Sequence, residues 1–341
     1  GELIGELNTS HTYVYAGDRQ RRAESVDIGM LGVDWEVDPD SGRYRFGRIL
    51  RVPDWTREIE PPLARPGVDV REGDLLLSVN GVDVTADRNL YSYFEMLAGQ
   101  QVRIEVATDA AGAPRRTSVV EPLSGVSSLR YQVWVARRRG TCEAEADGQI
   151  GYIHLPDTYL GSAREFPRRY YAQLRKKALV IDGRFNGGGL DPYVFLNRLR
   201  TEPLAYWTRR YSHDQTIPDL TINRAHMALL TNRQAGSGGD MLPMEFKRLE
   251  MGPVIGTRTW GGLVGVSMFY PMIDGGRLTA PDYRIYSTDG RWVVENEGVT
   301  PDIEIDLDPA EMARGHDAQL MKAIEVLLEA METDPRPWPK H

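Results

Sequence analysis

The sequence is poor in the residues that build disulfides, metal sites and membrane helices. It contains one cysteine, Cys142, which excludes an internal disulfide framework. No run of about 18 apolar residues is present, so we expect no transmembrane helix, and the first residues do not form a signal peptide. No group of His, Cys and Asp residues has the spacing of metal ligands, and we expect no metal or other cofactor.

Positive charge is also scarce. The 341 residues contain 41 Lys and Arg against 49 Asp and Glu, which gives a formal net charge of −8. This balance argues against nucleic acid as a partner. The triplet Arg137-Arg138-Arg139 is too short to change that conclusion, and we expect it to form a solvated turn. The length predicts two to three domains, and the hydrophobic content of 41% is enough for sizeable cores.

A serine follows a buried strand in the second half of the chain. The apolar run His226–Leu230 predicts the strand, and the spacing of apolar residues over Met241–Leu249 predicts a helix. Ser237 therefore lies where a strand turns into a helix, and the unpaired amides of the first helical turn can bind an oxyanion there. The position also suits an ordinary N-cap serine, so the turn alone leaves both interpretations open. Ala235 departs from the Gly-x-Ser-x-Gly nucleophile elbow.

A second predicted strand, Leu179–Asp182, also ends in a glycine-rich loop that precedes a helix. If the two strands are parallel in one sheet, both loops open at the same edge. The amide of Gly188 or Gly189 would then face Ser237 and form a two-donor oxyanion hole with the amide of Gly238. The loop lacks the Gly-x-Gly-x-x-Gly spacing and the downstream acid of a dinucleotide site, so we do not expect a nucleotide cofactor.

Short strands and tight turns fill residues 24–122. The run Glu72-Gly73-Asp74-Leu75-Leu76-Leu77-Ser78-Val79-Asn80-Gly81 contains an Asn-Gly turn between apolar segments. This unit resembles a PDZ domain of the type attached to proteases, which binds an extended peptide end along the edge of its sheet. Met30-Leu31-Gly32 would be its carboxylate-binding loop. A peptide-binding role and a purely architectural role both remain open.

Three further motifs extend the resemblance over nearly the whole chain. They are Asp182-Gly183-Arg184-Phe185-Asn186-Gly187-Gly188, Ala235-Gly236-Ser237, and Ile255-Gly256-Thr257-Arg258-Thr259-Trp260-Gly261-Gly262. Together with the PDZ-like unit they resemble the C-terminal-processing, or tail-specific, serine peptidase family. Most members activate their serine with a lysine. Gly262 stands where that lysine would be, so the Ser/Lys dyad is not available here.

Two other segments resemble the tricorn-type branch of this family, which uses histidine. Thr9-Ser10-His11 precedes the PDZ-like unit, and Glu295 precedes an Asn-x-Gly-Val-x-Pro-Asp motif. The resemblance implies that Ser237 is the nucleophile, that His11 is the base, and that Ser10 and Glu295 orient it. Glu297 is the alternative to Glu295. Histidine is a suitable base, because a serine hydroxyl needs a proton acceptor with a pKa near 7.

Substrate contacts are less well defined by the sequence. Gly261, Gly262 and Leu263 are expected to lie in a strand or loop that pairs with the substrate backbone. In the tricorn-type branch an acidic residue favours basic side chains at the cleaved bond. Asp214 and Asp219 are the candidates for that residue.

The resemblance also implies the architecture. We expect an α+β fold with a crotonase-like (ClpP-like) peptidase core of stacked β-α units and an inserted PDZ-like domain, a partly open β-barrel. Residues 1–23 would carry the histidine base, residues 24–122 the PDZ-like domain and residues 123–341 the peptidase core. The implied partners are peptide substrates and other copies of the chain, which would form a homo-oligomer and specifically a hexamer. The expected location is the cytoplasm, with the periplasm as the alternative if an export signal has been removed.

Two rival hypotheses remain. The first alternative to a serine peptidase is a catalytically inactive scaffold whose PDZ-like domain binds peptide ends. The second is a crotonase-type acyl-CoA enzyme, because that fold also builds oxyanion holes from glycine amides.

Overall fold

A computed structural model describes residues 2–17, 26–52, 59–109 and 114–340. The strands are β1 (Tyr13–Tyr15), β2 (Val33–Asp38), β3 (Arg43–Ile49), β4 (Leu75–Val79), β5 (Val82–Asp83), β6 (Val102–Ala107), β7 (Arg116–Val120), β8 (Ile150–His154), β9 (Ala178–Asp182), β10 (Ala205–Trp207), β11 (Gln215–Ile217), β12 (His226–Thr231), β13 (Val254–Gly256), β14 (Phe269–Pro271), β15 (Arg277–Thr279) and β16 (Ile303–Glu304). The α-helices are α1 (Glu2–Gly5), α2 (Ser127–Glu145), α3 (Leu160–Tyr171), α4 (Tyr193–Arg200), α5 (Gly238–Arg248), α6 (Pro309–Ala313) and α7 (Ala318–Thr333). No helix in this described part of the chain is both long enough and apolar enough to cross a membrane.

The chain divides into two compact units. One comprises Gly1–Arg19 together with Arg138–His341, and the other comprises Gln20–Arg137. Strand β1, near the start of the chain, therefore belongs to the same unit as the region of the predicted peptidase core. The predicted boundary between residues 23 and 24 lies outside the described residues.

The smaller unit is built on an antiparallel sheet in the order β2-β3-β4-β6-β7, with β5 paired to β4. The predicted Asn-Gly turn joins β4 to β5, and both Asn80 and Gly81 have positive φ. Met30 exchanges two backbone hydrogen bonds of 2.8 Å with Leu123. Part of the predicted carboxylate-binding loop is therefore already paired with another segment of the same unit.

The larger unit contains a parallel sheet in the order β16-β13-β12-β9-β8. Leu230 of β12 pairs with Asp182 of β9, so the two strands end at the same edge, as the repeated strand-loop-helix pattern predicts. Phe166 of α3, Phe195 of α4 and Phe246 of α5 pack with this sheet in one buried cluster, and α7 contacts β9, β12 and β13. The architecture is a mixed α/β fold with several sheets.

Several helices have bounds that differ from those predicted by the sequence pattern. The pattern predicts helices over residues 165–177 and 241–249, whereas α3 and α5 begin earlier in the chain. It also predicts one helix over residues 308–332, but the structure has two, α6 and α7. Gly315 separates them with a φ of 92°, a left-handed conformation that ends a helix.

A fully buried arginine lies just after β9. Arg184 forms ion pairs with Asp182 at 2.6 Å and with Asp317 at 2.8 Å. Arg138 pairs with the same Asp317 at 3.2 Å and is itself buried. The expectation of a solvated turn at residues 137–139 is therefore wrong. These residues lie in α2, and the burial of Arg138 is made possible by a carboxylate that is distant in the sequence.

Candidate active site

Ser237 lies on the tight turn between β12 and α5. Strand β12 ends at Thr231, and the helix begins directly after the serine. The serine has a φ of 58° and a ψ of −119°, a conformation that non-glycine residues rarely adopt. Its backbone N–H donates a 2.8 Å hydrogen bond to Asp240 Oδ2, which holds the turn in place. The turn thus fixes the side chain as a nucleophile elbow does, although Ala235 replaces the usual glycine.

The glycine loop after β9 packs directly against this turn. A Cβ atom added to Gly188 would lie 2.6 Å from Ser237 Cβ and 2.7 Å from Gly236 O, so only glycine fits there. The N–H of Gly188 donates to Asn186 Oδ1 at 2.9 Å and is therefore already engaged. Of the two amides that the sequence leaves open as oxyanion donors, that of Gly188 is therefore the one with an internal partner. The absence of a side chain at Gly188 lets the loop approach the serine.

Gly189 lies between Thr158 and the start of α5. The N–H of Thr158 donates to Gly188 O at 2.9 Å, and its carbonyl accepts from Leu190 N at 3.1 Å, so the loop is held extended. A Cβ atom added to Gly238 would lie 3.0 Å from Gly189 N and 2.0 Å from Thr158 Oγ1. The backbone nitrogen of Gly189 thus lies beside Gly238, the residue that follows the serine.

His11 is oriented by Ser10 and Glu295. Ser10 Oγ lies 3.0 Å from His11 Nδ1 and donates to Glu295 Oε2 at 2.9 Å. The N–H of Ser10 also donates to Glu295 Oε1 at 2.8 Å. Because the single hydroxyl proton points to the carboxylate, Nδ1 carries the imidazole proton and donates to Ser10 Oγ. This leaves Nε2 as the unprotonated nitrogen, the tautomer that a general base needs.

Glu295 is also held by the loop that follows Trp260. The N–H groups of Leu263 and Val264 donate to its Oε2 at 2.6 Å and 2.9 Å. Burial alone would raise the pKa of Glu295, but these bonds and those from Ser10 lower it below the ordinary value. The carboxylate is therefore ionised at neutral pH. Of the two acids considered from the sequence, Glu295 contacts Ser10, whereas Glu297 is exposed.

Trp260 connects the histidine to the serine turn. The ring centroids of His11 and Trp260 are 5.7 Å apart. Trp260 also covers Gly236, where an added Cβ would lie 2.5 Å from Trp260 Cε3. Burial lowers the pKa of His11, and the negative charges of Glu295 and Asp240 partly oppose this shift. His11 is therefore mostly neutral at pH 7, and it lies beside the turn that carries the serine.

Asp240 is a site residue that the sequence analysis did not identify. Its buried carboxylate accepts hydrogen bonds from the N–H groups of Ser237, Gly261 and Gly262 and from the Thr259 hydroxyl. Burial raises the pKa of Asp240 despite these bonds. The sequence signal is the Ser-x-x-Asp spacing, which places an acid in the first helical turn, where it reaches back to the N-cap amide.

The segment predicted to pair with substrate has its N–H groups engaged. Those of Gly261 and Gly262 donate to Asp240, that of Leu263 donates to Glu295, and the Leu263 side chain is buried. The carbonyl of Gly261 also accepts from the Asn296 N–H at 2.7 Å. Pairing of this segment with a substrate backbone therefore stays a prediction, in which the segment would use the carbonyl groups of Gly262 and Leu263. The segment also joins the carboxylate on the nucleophile helix to the carboxylate that orients the histidine.

The other sequence candidates lie elsewhere. Asp214 and Asp219 line a cavity of about 520 Å³, and neither Ser237 nor His11 is among the residues that line it. Among the residues that the structure describes, no group of three or more His, Cys, Asp or Glu side chains is placed to hold a metal ion.

Known proteins share this arrangement of regions. Residues 149–305 match Peptidase family S41, and residues 29–125 match the Tricorn protease PDZ domain. The chain is 35% identical over 332 residues to the putative Tricorn-like protease C-terminal subunit of Sulfurisphaera tokodaii, covering 97% of this chain and 38% of that protein. It is 32% identical over 331 residues to the Tricorn protease of Thermoplasma acidophilum, covering 97% of this chain and 30% of that protein.

A crystal structure of the tricorn protease has the same fold over this region. The matched region covers 96% of this chain and 31% of the tricorn protease chain, with a TM-score of 0.89 and 31% identity. The chain thus spans about a third of the length of these relatives.

Proposed function

We propose that this chain is a serine peptidase that cleaves peptides through an acyl-enzyme, because residues 149–305 match peptidase family S41 and residues 29–125 match the tricorn protease PDZ domain. The observation that carries the proposal is the hydrogen-bonded series Glu295, Ser10 and His11, which leaves the outer nitrogen of the imidazole free as a base. Trp260 contacts both this imidazole and the turn that carries Ser237.

Ser237 is the proposed nucleophile. Its hydroxyl attacks the scissile carbonyl while His11 Nε2 takes the hydroxyl proton, and His11 then gives that proton to the leaving amine. In the second step His11 takes a proton from water while the water attacks the acyl carbon. His11 then returns the proton to the Ser237 oxygen as the acyl group leaves it. Glu295 stays ionised and stabilises the imidazolium through Ser10, so its role is electrostatic and orienting.

The oxyanion that forms during attack is proposed to bind the amides of Gly189 and Gly238. Two features support this assignment. Both glycines lie beside the serine turn, and the strand-like pairing of Thr158 with the glycine loop fixes the direction of the loop. Donors that are already in position stabilise developing charge without reorganisation, which makes such a pair catalytically effective.

We also propose the finer architecture implied by the resemblance. The larger unit would be a crotonase-like (ClpP-like) core, and residues 24–122 a PDZ-like domain inserted between the histidine-bearing segment 1–23 and the core 123–341. The repeated parallel β-α units support this proposal. From the similarity to tricorn proteases we further propose that the chain forms a homo-oligomer, specifically a hexamer, and that it is located in the cytoplasm. Sedimentation analysis tests the oligomeric state.

Active-site labelling with a fluorophosphonate tests the function. We expect the wild type to be labelled and Ser237→Ala to be unlabelled, with hydrolysis of a peptide-amidomethylcoumarin panel reduced by several orders of magnitude. His11→Ala should lose labelling, whereas the exposed His316→Ala serves as the matched control and should retain it. A folded wild-type chain that is neither labelled nor active would favour the inactive scaffold and refute the proposal.

A further inference from the structure

Thr158 lies on the loop between β8 and α3, beside the proposed oxyanion hole. Its backbone is paired with the glycine loop, because its N–H donates to Gly188 O at 2.9 Å and its carbonyl accepts from Leu190 N at 3.1 Å. The side chain of the preceding residue, Asp157, accepts three amides around the start of α3 at distances between 2.8 Å and 3.0 Å. The position of Thr158 is therefore fixed before any substrate binds.

The hydroxyl of Thr158 takes no part in these hydrogen bonds. The residue is only 3% exposed, and within the described ranges Thr158 Oγ1 has no hydrogen-bond partner. Buried hydroxyl groups in folded proteins are almost always paired, because leaving one unpaired costs free energy. Valine has nearly the same shape and would avoid that cost. The buried, unpaired hydroxyl therefore indicates a partner that is present only during the reaction.

The position of the hydroxyl indicates what that partner is. A Cβ atom added to Gly238 would lie 2.0 Å from Thr158 Oγ1 and 3.0 Å from Gly189 N, so both polar atoms are close to one point at the start of α5. Ser237 directly precedes Gly238, and a Cβ atom added to Gly188 would lie 2.6 Å from Ser237 Cβ. The hydroxyl thus lies beside the two glycines whose amides are the proposed oxyanion donors.

An oxyanion suits this group as a partner. A threonine hydroxyl can donate one proton, and a hydrogen bond to an ionised acceptor is stronger than one to a neutral acceptor. The negative charge on the scissile carbonyl oxygen exists only while the tetrahedral intermediate is present. A donor that is held in place for that charge has no acceptor in the free chain.

We propose that Thr158 is a catalytic residue whose hydroxyl donates a third hydrogen bond to the oxyanion, beside the amides of Gly189 and Gly238. This inference rests on the proposed peptidase function and adds a side-chain donor to the two backbone donors. The proton stays on Thr158 throughout, because the hydroxyl stabilises charge and transfers no proton. Since the bond strengthens as the charge develops, it should accelerate the chemical step and contribute little to substrate binding.

Thr158→Val and Thr158→Ser form a matched pair that tests the assignment. Valine keeps the shape of threonine without the hydroxyl, and serine keeps the hydroxyl without the methyl group. With the amidomethylcoumarin peptide that the wild type cleaves fastest, Thr158→Val should lower kcat about 10- to 100-fold and leave KM nearly unchanged, as the loss of one hydrogen bond to a charged group predicts. Thr158→Ser should retain most of the wild-type kcat.

Thermal unfolding separates this role from a structural one. Valine removes a buried hydroxyl that has no partner, so the Tm of Thr158→Val should equal or exceed that of the wild type. A residue that only supported the fold would lose Tm and kcat together. The Tm comparison requires no activity, so it tests whether the hydroxyl is unpaired even if the chain is not a peptidase.

A peptide aldehyde of the same sequence gives a second measure, because Ser237 would convert it to a hemiacetal whose oxygen occupies the oxyanion hole. In Thr158→Val the Ki of this aldehyde should rise by about the factor by which kcat falls. The inference alone is overturned if the wild type is active and Thr158→Val keeps its kcat, if Thr158→Ser loses as much kcat as Thr158→Val, or if the Tm of Thr158→Val falls. A folded wild type that is neither active nor labelled by a fluorophosphonate would refute the proposed function, and this inference with it.

Discussion

Replacing Glu295 with glutamine tests the proposed orienting acid while preserving the size of the side chain. The carboxylate lies within about 6 Å of His11, since Ser10 Oγ bridges them by contacts of 3.0 Å and 2.9 Å. At an effective dielectric constant of about 20, opposite charges at that separation attract by about 3 kcal/mol. Partial exposure to solvent reduces this to about 2 kcal/mol. Glutamine keeps one acceptor oxygen but removes this charge.

The Glu295→Gln variant should therefore lose about 30-fold in kcat/KM, because the imidazolium formed in the transition state loses this stabilisation of about 2 kcal/mol. Its pH profile should also change in a defined direction. The negative charge of Glu295 raises the pKa of His11, so its removal lowers that pKa. Activity requires the neutral imidazole, and the acid limb of the profile should move to lower pH.

The rate of inactivation by a fluorophosphonate, followed against pH, measures both effects without knowledge of the preferred peptide. Glu297→Gln is the matched control, because it makes the same chemical change two residues away on an exposed side chain. We expect this control to react at close to the wild-type rate. The reasoning is refuted if the two variants react alike, or if the acid limb of Glu295→Gln moves to higher pH.

Three further predictions follow from the packing. Gly238→Ala should lower kcat about 10²- to 10³-fold, because its Cβ would lie 2.0 Å from the Thr158 hydroxyl oxygen beside the proposed oxyanion hole. Gly187→Ala is the control and should retain activity, because its Cβ would meet no atom closer than 3.9 Å. Equal losses of kcat in the two variants would contradict this prediction. Burial raises the pKa of Glu245 from 4.5 to about 8, so the folded chain holds a proton that the unfolded chain has released, and stability falls as pH rises across that range. Glu245→Gln should make Tm less sensitive to pH there, and an unchanged slope would rule out the shift. Arg184→Met should cost about 3–5 kcal/mol in urea unfolding, because it removes the cationic partner of the fully buried Asp182 and one of the two arginines paired with Asp317, whereas Arg291→Met should cost almost nothing. Similar values for both variants would show that the buried pairs do not stabilise the fold.

The local features of the candidate site could be predicted from the sequence. Apolar runs of strand length followed by glycines and a helical pattern place Ser237 and the glycine loop at the ends of two strands. The pairing of β9 with β12 brings those ends to one edge of the sheet, as expected of parallel strands. These inferences succeed because they depend on residues that are neighbours in the chain.

The choice between neighbouring amides could not be predicted in this way. Gly188 and Gly189 are equivalent in the sequence, and only the Asn186 side chain distinguishes them by accepting the Gly188 N–H. The same applies to Gly261 and Gly262, whose amides donate to the buried carboxylate of Asp240. Hydrogen-bond direction is set by three-dimensional packing, and periodicity carries no information about it.

The sequence by itself determined the strand-turn-helix around the serine, the glycine loop beside it and the Asn-Gly turn of the smaller unit, because each follows from local periodicity and turn chemistry. Only the tertiary structure decided which carboxylates act on these elements. Ser10 and Glu295 are 285 positions apart, and Arg138 and Asp317 are 179 apart. A charged side chain becomes buried or functional through such a partner, and the identity of that partner is fixed only when the chain has folded.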